Sequence, residues 1–148
     1  MIEAAGGTTR LRFVHSGFLG GDWDGEFDFQ SLTGLGWDMY LHTLSEYLTR
    51  FLGRRATYVF ADGPPPSADP AARSILFRAL DLDESPAVED AVHLRPEGLP
   101  AIDGTVDYAG PAHLGVRTDE ALYRFHFRPP IGLSIAVGHL SSPTSTPR

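Results

Sequence analysis

Trp37-Asp38-Met39-Tyr40-Leu41-His42-Thr43-Leu44-Ser45-Glu46-Tyr47-Leu48-Thr49-Arg50-Phe51-Leu52-Gly53 is the stretch on which the fold turns. Its large apolar residues are Trp37, Tyr40, Leu41, Leu44, Tyr47, Leu48, Phe51 and Leu52. They recur at i, i+3, i+4, i+7, i+10, i+11, i+14 and i+15, which is one face of an α-helix. Gly53 stands where a left-handed C-cap ends such a helix. The spacing predicts a helix over residues 36–52, about 25 Å long. Burying its eight large side chains would gain roughly 12–24 kcal/mol gross, an upper bound. A stripe of this kind needs an apolar platform, and the rest of the chain reads mostly as strands.

Before the helix, residues 8–15 alternate as a strand, with Leu11 and Phe13 on one side and Arg10, Arg12 and Val14 on the other. A glycine-rich loop over 18–34 follows, and Thr33 or Gly34 opens the helix. After Gly53, Thr57-Tyr58-Val59-Phe60 is β-branched and aromatic, a short strand within 56–61. Gly63-Pro64-Pro65-Pro66 breaks regular structure, and Asp69-Pro70 reads as an N-cap with Pro at N1, starting a shorter helix over about 70–80. Strand signals then recur at 91–95, 104–109, 113–118, 121–127 and 133–139, with Gly, Pro and Asp between them, as in an antiparallel meander. The expected fold is α+β: a curved antiparallel sheet of about 5–7 strands gripping one long helix. The expected organisation is a strand and long helix in 1–62, a strand-rich partner in 67–140 and a disordered Ser/Thr/Pro tail at 141–148.

Thr9-Arg10-Leu11-Arg12-Phe13-Val14-His15-Ser16-Gly17-Phe18, followed by Gly36-Trp37-Asp38-Met39-Tyr40-Leu41-His42-Thr43-Leu44, resembles the end of a START/SRPBCC domain. The branch it looks most like is the bacterial homologues of the activator of heat-shock-protein ATPase. The resemblance implies a helix-grip fold, in which the long helix crosses a curved sheet and a cavity lies between them. Residues 94–100, 104–108 and 123–126 resemble the sheet of a further, degenerate copy. The family's opening strand and paired short helices are missing before Thr8, and the second copy lacks its own long helix. The chain is therefore expected to be either truncated or a permuted domain whose one long helix serves the later strands. The permuted arrangement is favoured, because leaving either apolar face exposed is costly.

Composition narrows the chemistry. The formal net charge of −7, with Arg54-Arg55 as the one adjacent basic pair, disfavours nucleic acid and anionic membrane as partners. Without cysteine there are no disulfides, thiolate metal sites or Cys nucleophiles. All twelve basic residues are Arg, which removes Schiff-base and P-loop chemistry. No run of eighteen apolar residues and no signal-peptide pattern occur, so the default expectation is a cytoplasmic protein with no membrane span.

Six histidines are the groups able to do acid–base work near neutral pH, and none has HExxH or another tight metal spacing. His113, His126 and His139 recur every thirteen residues and are expected to line up across strands. Asp22-Trp23-Asp24-Gly25-Glu26 lacks the spacing and closing Glu of a calcium loop. Ser16 sits in no nucleophile elbow. No catalytic residue, cofactor or metal is assigned. The candidate ligand-lining residues are Trp37, Tyr40, Leu44, Tyr47, Phe51, Tyr123 and Phe125, with Arg124 as a polar partner. The first functional expectation is a module that binds a small apolar molecule without catalysis. The alternatives implied by the resemblance are a chaperone ATPase activator-like interaction domain and a START-type enzyme using His and acidic residues in its cavity.

Overall fold

Residues 91–141 carry the period-two alternation of half-buried strands, and in the computed structural model they build a meander. The structure describes residues 2–14, 29–82 and 86–142. Strands β4 (Ala91–Leu94), β5 (Ile102–Ala109), β6 (His113–Arg117), β7 (Ala121–His126) and β8 (Ala136–Ser141) pair each with the next, and β3 (Thr57–Asp62) pairs with β8. Every pair is antiparallel, and the order is β3-β8-β7-β6-β5-β4. With two α-helices among the described residues, α1 (Phe29–Arg50) and α2 (Ala72–Ala79), the fold is α+β.

Alternation along β7 assigns the two faces of the sheet. Phe125, and Phe127 just beyond the strand, point toward α2 and close a core with Phe77, Leu80, Leu94, Val106, Leu114, Val116 and Ile135. Phe77 and Phe127 meet edge to face at 5.5 Å, and the Arg73 guanidinium lies 4.6 Å from the Phe127 ring centroid. Leu122, Arg124 and His126 point the other way, toward α1. The sheet is thus a middle layer with one helix on each face.

Three sequence expectations are corrected. The long helix begins at Phe29, not Gly36, and takes Gly34 and Gly36 into its interior, where a Cβ on either would meet nothing within 4 Å. The early strand, β2 (Thr8–Leu11), pairs with β1 (Ile2–Ala5) in a separate two-stranded hairpin turning at Gly6 and Gly7, both at positive φ. Ser141 belongs to β8 and Ser142 is fully buried, its N–H donating to Glu120 O at 2.7 Å, so the first two residues of the expected tail are part of the fold, and 143–148 lie outside the described residues. The 22–28 acidic stretch, His15 and Ser16 lie outside the described residues.

The largest correction concerns the stripe. Met39 and Phe51, each 1% exposed, are the buried residues of the 37–52 face, together with the half-buried Thr43 and Tyr47. Leu41, Leu44 and Leu48 are 38%, 40% and 50% exposed and Leu52 is 74%. The reason lies in the sheet: the face beneath α1 presents Arg124, Asp107, His113 and His126. Buried charged and polar groups must be partnered, so the helix turns hydroxyl and imidazole groups toward them and Leu41 and Leu48 outward.

Residues 62–67 do not separate the chain into detached parts. Gly63 N–H donates to Ile135 O at 2.7 Å and Ile135 N–H to Ser67 O at 3.2 Å. Arg54 Nη1 donates to Asp119 O at 3.2 Å, joining the end of α1 to the β6–β7 turn.

Gly53 ends α1 at φ +82°. Gly53→Ala meets no steric obstacle but forces an L side chain into the left-handed region. It is expected to cost about 1–2 kcal/mol, read as a lower denaturant midpoint at unchanged slope.

Candidate functional site

The polar floor under α1 follows from three neighbouring positions. Gly115 on β6 pairs with Arg124 on β7, which pairs with Gly138 on β8. An arginine flanked by two glycines on one face has room to lie flat. A Cβ at Gly115 would stand 2.6 Å from Arg124 Nη1 and 2.7 Å from Asp107 Oδ1, so the guanidinium crosses β6 over that glycine to reach β5. There Arg124 Nη1 and Nη2 donate to Asp107 Oδ1 and Oδ2 at 2.9 and 2.7 Å, a bidentate pair with both side chains almost wholly buried. The register shift between Val106 and Tyr108 is the irregularity at which Asp107 sits. On the other flank Tyr58 of β3 covers Gly138, where a Cβ would lie 2.7 Å from its hydroxyl.

The helix completes the network. Arg124 Nε donates to Thr43 Oγ1 at 2.7 Å, and that hydroxyl donates to Met39 O at 2.8 Å. His42 Nε2 lies 3.3 Å from Asp107 Oδ2. The guanidinium is thereby neutralised and its donors are engaged, with Nη1 also reaching Tyr123 O.

Beside this network, His113 and His126 are direct cross-strand partners with ring centroids 5.0 Å apart. Phe60 meets the His126 ring edge-on at 5.4 Å and Tyr40 lies 6.3 Å away. His126 Nε2 is buried with no hydrogen-bond partner. Burial, then the nearby positive charge of a protonated His113 and of Arg128 and Arg124, pushes His126 down to about 4. Burial also lowers His113. His139, the third of the thirteen-residue series, sits on the opposite face, stacked on Tyr123 at 4.6 Å. Thirteen is odd, but each register is set separately by its turn, and only His113 and His126 come together.

Above the network is a cavity of about 290 Å³ lined by Met39, Tyr40, Thr43, Leu44, Tyr47, Tyr58, Arg124, His126 and Leu140. Its wall is almost wholly apolar, because Arg124 and Thr43 turn their polar atoms to each other. Of the residues singled out in the sequence, Tyr40, Leu44 and Tyr47 line it. Trp37 packs instead on Phe13, ring centroids 4.1 Å apart. Phe51 is buried at the end of α1, where it borders a polar cleft, under the Arg54 guanidinium at 5.5 Å. Tyr123 and Phe125 lie on the α2 face of the sheet, so neither reaches this cavity. Met39, Thr43, Tyr58, His126 and Leu140 were not foreseen. A signal for part of this set is in the sequence: Leu122, Arg124 and His126 alternate with Tyr123, Phe125 and Phe127, which marks a second, polar-bearing face.

Other concavities lie among the described residues, one of about 290 Å³ between the start of α1 and the His113–His126 pair, lined by Leu35, Gly36, Ala112, His113, His126 and Ile131. An apolar groove of about 460 Å³ runs between α2 and β8, past Ile75, Leu76, Ala79, Ile135 and Val137. A polar cleft of about 850 Å³ at the end of α1 mixes Arg50, Arg54 and Arg117 with Asp103, Asp119 and Glu120, so opposite charges offset one another. Among the described residues no group of three or more His, Cys, Asp or Glu side chains is placed to hold a metal ion, and no helix is long and apolar enough to cross a membrane. Comparison with protein-family models, with curated proteins and with solved structures finds no match to this chain.

Proposed function

We propose that this chain is a START/SRPBCC-like binding module of the helix-grip type, holding a small apolar molecule between α1 and the sheet without chemistry. The observation that carries the reading is the cavity beneath α1, whose apolar wall includes Tyr40, Leu44 and Tyr47. Ligand sites of small molecules are concave, mostly apolar and about 300–1,000 Å³. At about 290 Å³ this one suits a compact ligand. An antiparallel sheet crossed by a long helix, with a cavity between, supports the family resemblance read from residues 8–53. Binding without catalysis is favoured because the charged groups of the floor answer each other, leaving Arg124 and Asp107 as an internal pair.

Titration with an apolar fluorescent dye, followed by native mass spectrometry, tests the reading. Leu140→Trp fills the cavity from the sheet side and is expected to weaken dye binding at least about tenfold, a loss near 1.4 kcal/mol. Unchanged binding in Leu140→Trp, with loss in Ile75→Trp, would move the site to the groove along α2 and overturn the proposal.

A further inference from the structure

His113 opens β6 and His126 closes β7, so the pair stands at the end of the sheet, where Pro111 precedes one strand and Pro130 follows the other. The two imidazoles are cross-strand partners, 9% and 5% exposed, and both line the cavity of about 290 Å³ at the start of α1. The cavity under the middle of α1 shares only His126 with it. Leu35, Ala112 and Ile131 supply apolar wall, and Gly36 leaves room, since a Cβ there would meet nothing within 4 Å. His126 Nε2 is buried without a hydrogen-bond partner. A polar group shut off from water in this way costs stability until something bonds it.

The surroundings select the partner. Tyr40 of α1, Phe60 of β3 and His113 of β6 face the His126 ring, Tyr58 of β3 shares its other cavity, and Tyr108 of β5 lies 6.4 Å from His113. None of these is a carboxylate. The acidic side chains closest by are engaged, Asp107 by Arg124 and Asp62 by Arg128. Burial and the cations around it hold His126 uncharged. A metal cation would meet Arg124 and Arg128 with no free carboxylate to offset them, whereas an anionic group is welcome. We propose that the His113–His126 pair receives the carboxyl group of a small apolar carboxylic acid, whose hydrocarbon part fills the cavity at the start of α1. The acid arrives ionised, and one proton from solvent joins one imidazole. In the complex an imidazolium N–H and the N–H of the second imidazole donate to the two carboxylate oxygens. Anion and proton enter together, so no net charge is buried. The site stands apart from the cavity under the middle of α1 and does not rest on what that cavity binds.

Isothermal titration calorimetry with hexanoate at pH 7, in two buffers of different ionisation enthalpy, reads both binding and proton uptake. About one proton is expected to be taken up per hexanoate bound, with affinity up to about tenfold weaker at pH 8. Hexanol, which lacks the carboxyl, and hexylammonium, which reverses the charge, are expected to bind at least about tenfold more weakly. His113→Phe keeps an aromatic ring and touches this cavity but not the other. It is expected to weaken hexanoate at least about tenfold and to leave apolar dye binding unchanged. Ile131→Trp, at a position 38% exposed and so tolerant of a larger side chain, fills the hydrocarbon end and is expected to give a similar loss. Leu140→Trp, which blocks the other cavity, is expected to leave hexanoate binding unchanged. A protein that binds hexanoate but no dye would therefore overturn the reading of the middle cavity and keep this one. No hexanoate bound up to millimolar concentration overturns the proposal, as does binding without proton uptake or hexanol bound as tightly. Loss in Leu140→Trp, with none in His113→Phe and Ile131→Trp, would put the acid in the other cavity and overturn it too.

Discussion

Arg124→Leu is expected to destabilise the protein by about 3–5 kcal/mol, because it strands the Asp107 carboxylate in the interior. Asp107 is 3% exposed, and without Arg124 its nearest positive candidate is His42, 3.3 Å away and itself partly solvated. The substitution also deprives Thr43 Oγ1 of its donor from the sheet, loosening a hydrogen bond that ties the middle of α1 to β7. The size of the effect comes from the uncompensated charge more than from the worth of the pair. Two charges taken out of water regain in Coulomb attraction little more than their desolvation cost. Arg124→Leu/Asp107→Leu is therefore expected to recover most of the loss, and this non-additivity is the signature to measure in a double-mutant cycle by urea denaturation. Arg124→Lys is no remedy. An ammonium cannot span Gly115 with two parallel donors, so it keeps the charge and loses the fork. A loss below about 1 kcal/mol for Arg124→Leu would mean that water reaches Asp107 and that the floor of the cavity is open.

The sheet was legible in the sequence because its strands are local. The stretches containing Val92, Val106, Val116, Phe125 and Val137 each alternate between turn residues, and a meander needs only that each strand find the next. The pairing of β3 with β8 was beyond reach, since it joins residues some eighty apart with no turn to announce it. The helix was legible as a helix, but its orientation was not. Periodicity finds the most apolar stripe and assumes it faces the core. Here the sheet has two faces, and the apolar one is taken by α2 through Phe77 and Leu80. What remains for α1 is the face of Arg124 and Asp107, which rewards Thr43 and His42 over Leu41 and Leu48. The same error explains the mixed outcome among the candidate cavity residues. Tyr40, Leu44 and Tyr47 reach the cavity from the flank of the helix, while Tyr123 and Phe125 were assigned to the wrong side of β7. The glycines that make the site, Gly115 and Gly138, look like ordinary strand glycines until the arginine between them is seen to need their missing side chains.

Acid is expected to remove about 3 kcal/mol of stability between pH 6.5 and pH 4 through His126 alone. In the unfolded chain this imidazole titrates near 6.5, and in the fold it is held down to about 4. Across that window the unfolded state carries a proton that the folded state refuses. Stability is therefore complete above pH 6.5, falls as pH drops through the window and levels below pH 4. The causes are structural. His126 is 5% exposed and Phe60 and Tyr40 pack on its ring. His113 pairs with it across the strands, and Arg124 and Arg128 add positive charge nearby. No acidic side chain is among the causes of its shift to offset them. Carboxylates begin to titrate toward the lower end of the same window, so the wild-type slope alone does not identify the residue. His126→Phe does, because it keeps the aromatic contacts while removing the proton site. In thermal melts the wild type is expected to lose roughly 6–12 °C between pH 7 and pH 4 from this group, at about 2–4 °C per kcal/mol, and His126→Phe is expected to lose that much less. His113→Phe, whose side chain is depressed by burial in the same direction, is expected to flatten the profile as well and to relieve part of the repulsion on His126. Identical slopes in wild type and His126→Phe would show that the imidazole is charged or solvated in the fold. In that case α1 would not cover this end of the sheet, and the cavity that His126 lines would open to water.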